Sequence, residues 1–366
     1  MGSEMCIRDR PKGASVELTI DPEIQKLAYD LIPDGQRGSI VVTNPKTGAI
    51  LAMVSKPTFD PSDLATHDPA AFKATYDALI ADGDDPLINR TIAGDLNPPG
   101  STFKLVVTAT ALENGLTPDT KFPNPGTLTL PQSSAVITNA EGGACGGGAT
   151  VSIADALRLS CNIPFAQLGL QLGYPAISQE AREFGFGDDG IRVPMRVEPS
   201  VYPPIASDAE LMLSSFGQAS DRVSPLQMAM VSAAVANGGQ LMKPTLVETI
   251  FAPDLTELQS FEPEVYSTPI SADTSATMTQ LMINNVSNGA GSNARINGVD
   301  VAGKTGTAEN GDAPYTLWFT GFAPANDPQV AVAVVVENGG GLGQSGFGNL
   351  VAAPIAKRVI EAVLNR

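Results

Sequence analysis

The chain is predicted to fold as an α+β domain. One antiparallel sheet is built from its N- and C-terminal strands and flanked by helices, and a mainly helical lobe is inserted between the two halves. Two observations carry this. Apolar runs of strand length lie near both ends, at residues 39–42 and 49–54 and again at 318–322 and 330–336. Between them, apolar residues recur at helical spacing or fill whole helical lengths, which places the helices in the middle of the chain.

In chain order, residues 16–20 read as a short strand. Asp21 then caps a helix with Pro22 at its first position, ending near Ile32. Residues 39–54 form a hairpin, because Asn44-Pro45-Lys46-Thr47-Gly48 supplies turn angles between two apolar runs. Residues 58–95 are polar and loop-rich around a helix at Pro69–Ala81. The Asn97-Pro98-Pro99-Gly100 stretch cannot be helical, whereas 101–114 is apolar on nearly every face and reads as a buried helix stopped by Gly115. Residues 123–148 are irregular and glycine-rich. Short helices at 152–159 and 164–172 flank Ser160-Cys161-Asn162, and further helices follow at 179–184, 208–216, 225–236 and 275–288. Beyond Lys304 the period changes to strands; the Val/Ala run at 330–336 is expected to be buried on both faces, and an amphipathic helix at 353–364 closes the chain.

Composition bounds the function. The chain has 366 residues, enough for a large core, and its 36 glycines and 29 prolines imply many turns. A net charge of −17 with scattered acids argues against nucleic-acid binding and fits a solvated, self-repelling surface. No stretch reaches the roughly 18 apolar residues of a membrane span. The single histidine, His67, sits in a loop-like Ala-Thr-His-Asp-Pro stretch, and the three cysteines are not spaced as a zinc site, so neither a metal centre nor another cofactor is expected. Gly146-Gly147-Gly148 lacks the strand-turn-helix setting of a dinucleotide loop.

Three short motifs remain. Ser101-Thr102-Phe103-Lys104 is the one Ser-x-x-Lys of the chain, and Ser160-Cys161-Asn162 is the one Ser-x-Asn. Lys-Thr-Gly occurs twice, at Lys46 and at Lys304-Thr305-Gly306-Thr307. The first copy is the hairpin turn; the second precedes the strand-rich C-terminal part and is read as the functional one. Each motif is weak alone, since a Ser-x-x-Lys arises by chance about once in a chain of this size. With one loop-borne histidine, a Ser-His-Asp triad has no natural base, and the three motifs together suit histidine-free chemistry on a serine.

The order Ser-x-x-Lys, Ser-x-Asn, Lys-Thr-Gly resembles the transpeptidase domain of penicillin-binding proteins, and is most similar to the monofunctional, class B type. Flanking stretches resemble it too: residues 18–25, Asn89-Arg90, Pro98-Pro99-Gly100, and Val223-Ser224-Pro225-Leu226-Gln227-Met228-Ala229. The resemblance covers residues 15–366, read as one transpeptidase domain with a β-lactamase-like fold, while residues 1–14 are read as a non-native or linker remnant. It implies a D,D-transpeptidase that cross-links peptidoglycan stem peptides through an acyl-enzyme on Ser101 and is acylated by β-lactams. It also implies an extracytoplasmic location, a membrane anchor and pedestal domain in the full-length protein, and membrane proteins of cell-wall synthesis or division as partners. Alternatives on the same fold are a D,D-carboxypeptidase, a β-lactamase, for which no persuasive deacylating glutamate is found, and a β-lactam sensor or non-catalytic scaffold.

On this reading Ser101 is the nucleophile, and Lys104, one helical turn on, is its base, with its ammonium destabilised by apolar surroundings and by Lys304. Taken alone, the pair also fits a helix cap and a snorkelling lysine. Ser160 relays a proton to the leaving amine, and Asn162 holds the lysine and a substrate amide. Lys304–Thr307 form an edge strand in which Thr305 and Thr307 offer hydroxyls to a terminal carboxylate and Gly306 lets the substrate backbone approach. The resemblance places the oxyanion between the Ser101 and Thr307 N–H groups. Trp318 is expected in the core or the cleft wall. Cys145 and Cys161 are expected to pair, since an extracytoplasmic location permits oxidation; the competing reading leaves Cys161 a small buried thiol.

Overall fold

In the computed structural model, which describes residues 13–366 apart from Asp95 and Glu141, five antiparallel strands form the central sheet. The hairpin strands β1 (Gly38–Thr43) and β2 (Ile50–Lys56) come from the N-terminal part; β3 (Ala302–Asn310), β4 (Ala313–Ala323) and β5 (Val330–Val336) come from the C-terminal part. Their order is β3-β4-β5-β1-β2, so β5 joins the two ends of the chain, with Ala331 opposite Thr43 and Val336 opposite Gly38. All seven residues of β5 are buried, as a continuous Val/Ala run predicts.

The period of two along β5 divides the core. Val330, Val332, Val334 and Val336 face α1 (Pro22–Leu31) and the closing helix α9 (Ala352–Leu364), packing with Ile24, Ala28, Val359 and Ile360. Ala331, Ala333 and Val335 face the helical lobe. That lobe holds α3 (Lys104–Glu113), α4 (Ile153–Leu159), α5 (Ile163–Glu183), α6 (Asp208–Ser214), α7 (Pro225–Ala236) and α8 (Ala272–Asn288). The helix α2 (Pro69–Ala81), between the hairpin and the lobe, buries no residue of its own. Among the described residues, no helix is long and apolar enough to cross a membrane.

Four expectations need correction. The first strand does not join the central sheet: Ser15–Leu18 pairs with Val247–Phe251, which pairs in turn with Glu257–Ser260. These partners, with Leu241–Met242 and Val265–Ser267, are too short and too mixed in polarity to stand out as strands. The predicted helix at 101 starts later. Gly100–Thr102 is a 3₁₀ turn entered at a positive φ of 52° at Gly100, and α3 begins at Lys104. The two helices predicted at 164–172 and 179–184 are both present within α5, parted at the non-helical Gly173 (φ 78°, ψ 156°), but the second starts sooner, just past that break, and holds Pro175. The segment 123–148 is not wholly irregular, since Thr127–Thr129 within it pairs with Val136–Thr138, and Lys121–Pro123 pairs with Thr150–Ser152 across its base. The remnant reading of residues 1–14, and with it Cys6, lies outside the described residues for positions 1–12.

Candidate active site

The three motifs meet where α3, the α4–α5 junction and the edge strand β3 converge. The Ser101 turn is pinned from below. Gly100 N–H donates to Gly217 O (2.9 Å), Thr102 Oγ1–H to Pro99 O (2.7 Å), and the Trp318 indole N–H to Pro98 O (3.0 Å). Trp318 is therefore a fully buried strut beneath the turn. Gly217, at φ +82°, must be glycine, since a Cβ there would lie 1.9 Å from Gly100 O. Ser101 itself is half-buried.

Lys104 follows in the first turn of α3, entirely inaccessible among apolar residues. Its ammonium donates to Ser160 O (2.8 Å) and Asn162 Oδ1 (2.9 Å), with the Phe165 and Phe216 rings 5.4 and 5.9 Å away. Burial, reinforced by the Lys304 charge, holds it well below a lysine's usual range. Lys304, on β3, is also fully buried; its ammonium donates to Ser160 Oγ (2.7 Å) and Thr305 O (2.9 Å), and burial lowers it to about 7.

Ser160 thus bridges the two lysines, offering its carbonyl to one and its hydroxyl to the other. The backbone explains how. Ser160 ends α4 in the left-handed region (φ 62°, ψ 36°), and Cys161 N–H reaches back to Ala156 O (2.9 Å). This places both oxygen atoms toward the lysines. The Cys145–Cys161 disulfide closes at a Cα separation of 5.9 Å and ties the middle residue of the motif to the glycine-rich segment. Asn124, buried, braces that segment by donating to Cys145 O (2.7 Å) and Gly148 O (2.9 Å).

β3 is the edge of the central sheet, as an open flank beside a cleft requires. Thr305 is buried and donates to Ala290 O (3.3 Å), while Thr307 is half-buried and its Oγ1 accepts from Gly348 N–H (3.1 Å). Glycine at 306 is demanded by the protein's own chain: a Cβ there would lie 2.9 Å from Pro99 O and 3.0 Å from both Thr102 Cγ2 and Trp318 Cβ. The same packing sets the Ser101 turn against Thr307, whose carbonyl lies 3.0 Å from where a Gly100 Cβ would be.

Lys46 is elsewhere, at the hairpin turn, exposed and paired with Asp327 (2.6 Å). His67 is exposed on a loop. Sequence reasoning missed Asn139 and Asn285. Asn285 is fully buried and donates to Leu157 O (3.2 Å) and Arg158 O (2.9 Å), holding the end of α4. Arg158 O also accepts from Ala290 N–H (2.9 Å), so the α4 end, the Ala290 segment and Thr305 are linked. No local signal marks either asparagine, because each acts on residues far along the chain.

A buried lysine beside a serine-bearing turn, linked through a second serine to a second lysine, defines a serine acyltransferase site built without histidine. Comparison with known proteins agrees. The penicillin-binding protein transpeptidase domain family matches residues 38–361. A peptidoglycan D,D-transpeptidase PbpA of Mycolicibacterium smegmatis is 42% identical across 97% of this chain and 73% of its own length. Its Mycobacterium tuberculosis counterpart is 39% identical with the same coverage. Among solved structures, the ceftriaxone acyl-enzyme complex of M. tuberculosis penicillin-binding protein A superposes with a TM-score of 0.93 at 38% identity, covering 97% of this chain and 81% of that one. The D,D-transpeptidase domain of a peptidoglycan glycosyltransferase from Eggerthella lenta superposes with a TM-score of 0.85 at 34% identity, covering 98% and 84%. The chain belongs to the penicillin-binding protein transpeptidase family.

Proposed function

We propose that this chain is a peptidoglycan D,D-transpeptidase in which Ser101 is acylated and Lys104 is its base, and that residues 15–366 form the catalytic domain. The observation that carries the assignment is the Ser160 bridge between two buried lysines at the Ser101 turn. A neutral Lys104 amine can spend its two N–H bonds on Ser160 O and Asn162 Oδ1, which leaves its lone pair for the Ser101 proton. Oγ then bonds to the penultimate D-Ala carbonyl carbon, and the developing oxyanion is held by the Ser101 and Thr307 N–H groups. As the peptide C–N bond breaks, Ser160 passes a proton to the departing D-Ala amine, resupplied from the lysines on either side. A stem-peptide amine attacks the ester, releasing Ser101 and completing the cross-link. Cationic Lys304 and the Thr307 hydroxyl bind the substrate's terminal carboxylate, joined by Thr305 once its hydroxyl turns from Ala290 O. β-Lactams acylate the same oxygen and stay. The enzyme works outside the cytoplasm, held to the cell membrane in the full-length protein, alongside membrane proteins of cell-wall synthesis or division.

Intact-mass measurement after incubation with benzylpenicillin tests this. The expected result is a persistent adduct of one drug mass on the peptide bearing Ser101. No adduct, or one that hydrolyses in seconds as in a β-lactamase, sinks the assignment. With a stem-peptide donor and an amine acceptor, cross-linked product distinguishes transfer to amine from the carboxypeptidase outcome of transfer to water.

The two lysines also fix the pH dependence. Lys104 must be neutral and Lys304 charged, and burial holds Lys104 well below its usual range and Lys304 at about 7. Second-order acylation should therefore rise as Lys104 loses its proton and fall again as pH passes about 7. Lys304→Gln removes the like charge beside Lys104, so its rising limb should move to higher pH and its falling limb vanish. A chromogenic cephalosporin followed across pH measures both; a rising limb that stays put or moves down refutes the pairing.

A further inference from the structure

An asparagine at the start of a helix ordinarily turns its side chain back to accept the first free N–H groups. Asn162 stands at that position of α5 and makes no such bond. Its carboxamide is directed away, with Oδ1 accepting from Lys104 Nζ (2.9 Å) and Nδ2 donating to Thr138 O (3.1 Å). Two of the free donors at this helix start are satisfied from a distance. Asn139, only 4% exposed, accepts from both Asn162 N–H (2.9 Å) and Ile163 N–H (3.2 Å) through one oxygen. Its own Nδ2 donates to Gly143 O (3.0 Å), and its carbonyl accepts from Gly142 N–H (2.9 Å), which fixes the side chain from behind. The disulfide at Cys161 anchors the other end of the same segment.

We propose that Asn139 is a positioning residue of the active site: it secures the first N–H groups of α5 and so holds Asn162 where its side chain reaches Lys104. This rests on the reading of Lys104 as base. Without Asn139, the N–H groups of Asn162 and Ile163 lose their acceptor, so the backbone that carries the Asn162 side chain is no longer held and its Oδ1 drifts from the lysine. An unsatisfied donor at the helix start is unfavourable enough to shift that backbone. Asn139 acts through Asn162 and touches neither substrate nor Ser101.

Acylation by a fluorescent penicillin, followed across pH on the intact protein, tests the proposal. Asn139→Leu is expected to lower the plateau rate about 10²-fold, the order of loss for a small misplacement of a catalytic group. Losing an acceptor of the ammonium should also move the rising limb to lower pH, since Lys304 is the other charged group facing Lys104. Asn139→Asp keeps the acceptor at a helix start, where negative charge is favoured, and should hold the plateau within a few-fold of wild type. In an Asn162→Ala background, Asn139→Leu should add no further loss. If Asn139→Leu fails to fold, Asn139→Ser, too short to reach both N–H groups, takes its place in each comparison. A wild-type rate and profile in the truncated variant overturns the proposal. So does a rate loss with an unmoved limb, an Asp variant as slow as Leu, or full additivity with Asn162→Ala. Failure of the wild-type protein to label at Ser101 overturns instead the mechanism on which the proposal rests.

Discussion

Ser101→Ala is expected to take up no fluorescent penicillin while unfolding at the wild-type temperature. The first half follows from chemistry, because the hydroxyl oxygen is the atom that would carry the acyl group, and the methyl left behind cannot. The second half follows from how the turn is held. Its restraints run through Gly100 N–H, Thr102 Oγ1, Phe103 N–H and the Trp318 indole, and the Ser101 side chain supplies none of them. Substitution of a half-exposed side chain outside such restraints typically changes stability by about 0.5 kcal/mol or less. Gel fluorescence beside a thermal melt makes the measurement, and undiminished labelling of the folded variant would remove Ser101 from the mechanism.

Lys104→Ala is expected to slow acylation by about 10²–10⁴-fold, the range a positioned general base contributes. Truncation of a fully buried chain also leaves a void beside Phe165 and Phe216, so Lys104→Met serves as the volume-matched partner. Both should lose rate alike if the amine is what matters. Lys46→Ala should acylate at the wild-type rate. Its ammonium meets Asp327 in water at the hairpin turn, and an exposed pair of that kind is worth about 0–1 kcal/mol to folding and nothing to the reaction. Stopped-flow acylation of the three variants decides the matter. A Lys46 variant slower than Lys104→Met would mean the wrong Lys-Thr-Gly copy was chosen.

What could be read from the sequence was what is encoded locally. Pro69–Ala81 and Pro225–Ala236 begin at a proline behind a capping Asp68 or Ser224, and both helices have those limits. The 330–336 run required burial on both faces and sits inside the sheet. The motifs named the residues around the two lysines because chemistry restricts which side chains can do the work. The supports were illegible for the opposite reason. Asn139 caps a helix 23 positions away, and Asn285 clamps a carbonyl 127 positions away. Nothing near either residue in sequence distinguishes it from an ordinary turn or helix asparagine. The sheet of Ser15–Leu18 was likewise hidden, since its partner Val247–Phe251 has no periodic signature strong enough to find it.

The buried lysine pair sets this fold at odds with its own stability. A cation whose folded pKa is depressed binds fewer protons when folded than when unfolded. Stability therefore rises with pH from about 7, where Lys304 titrates in the folded state, to its unfolded value of 10.5, and is correspondingly forfeited at neutral pH. Lys104 is pushed in the same direction. Neutral side chains of similar length at 104 and 304 relieve that penalty and, under the proposed mechanism, abolish the base or the carboxylate anchor. Under that mechanism the sturdiest sequences for this scaffold are inert ones. A search for heat-tolerant variants that scores folding alone would drift toward dead enzyme, and only selection for turnover keeps two ammonium groups where the solvent cannot reach them.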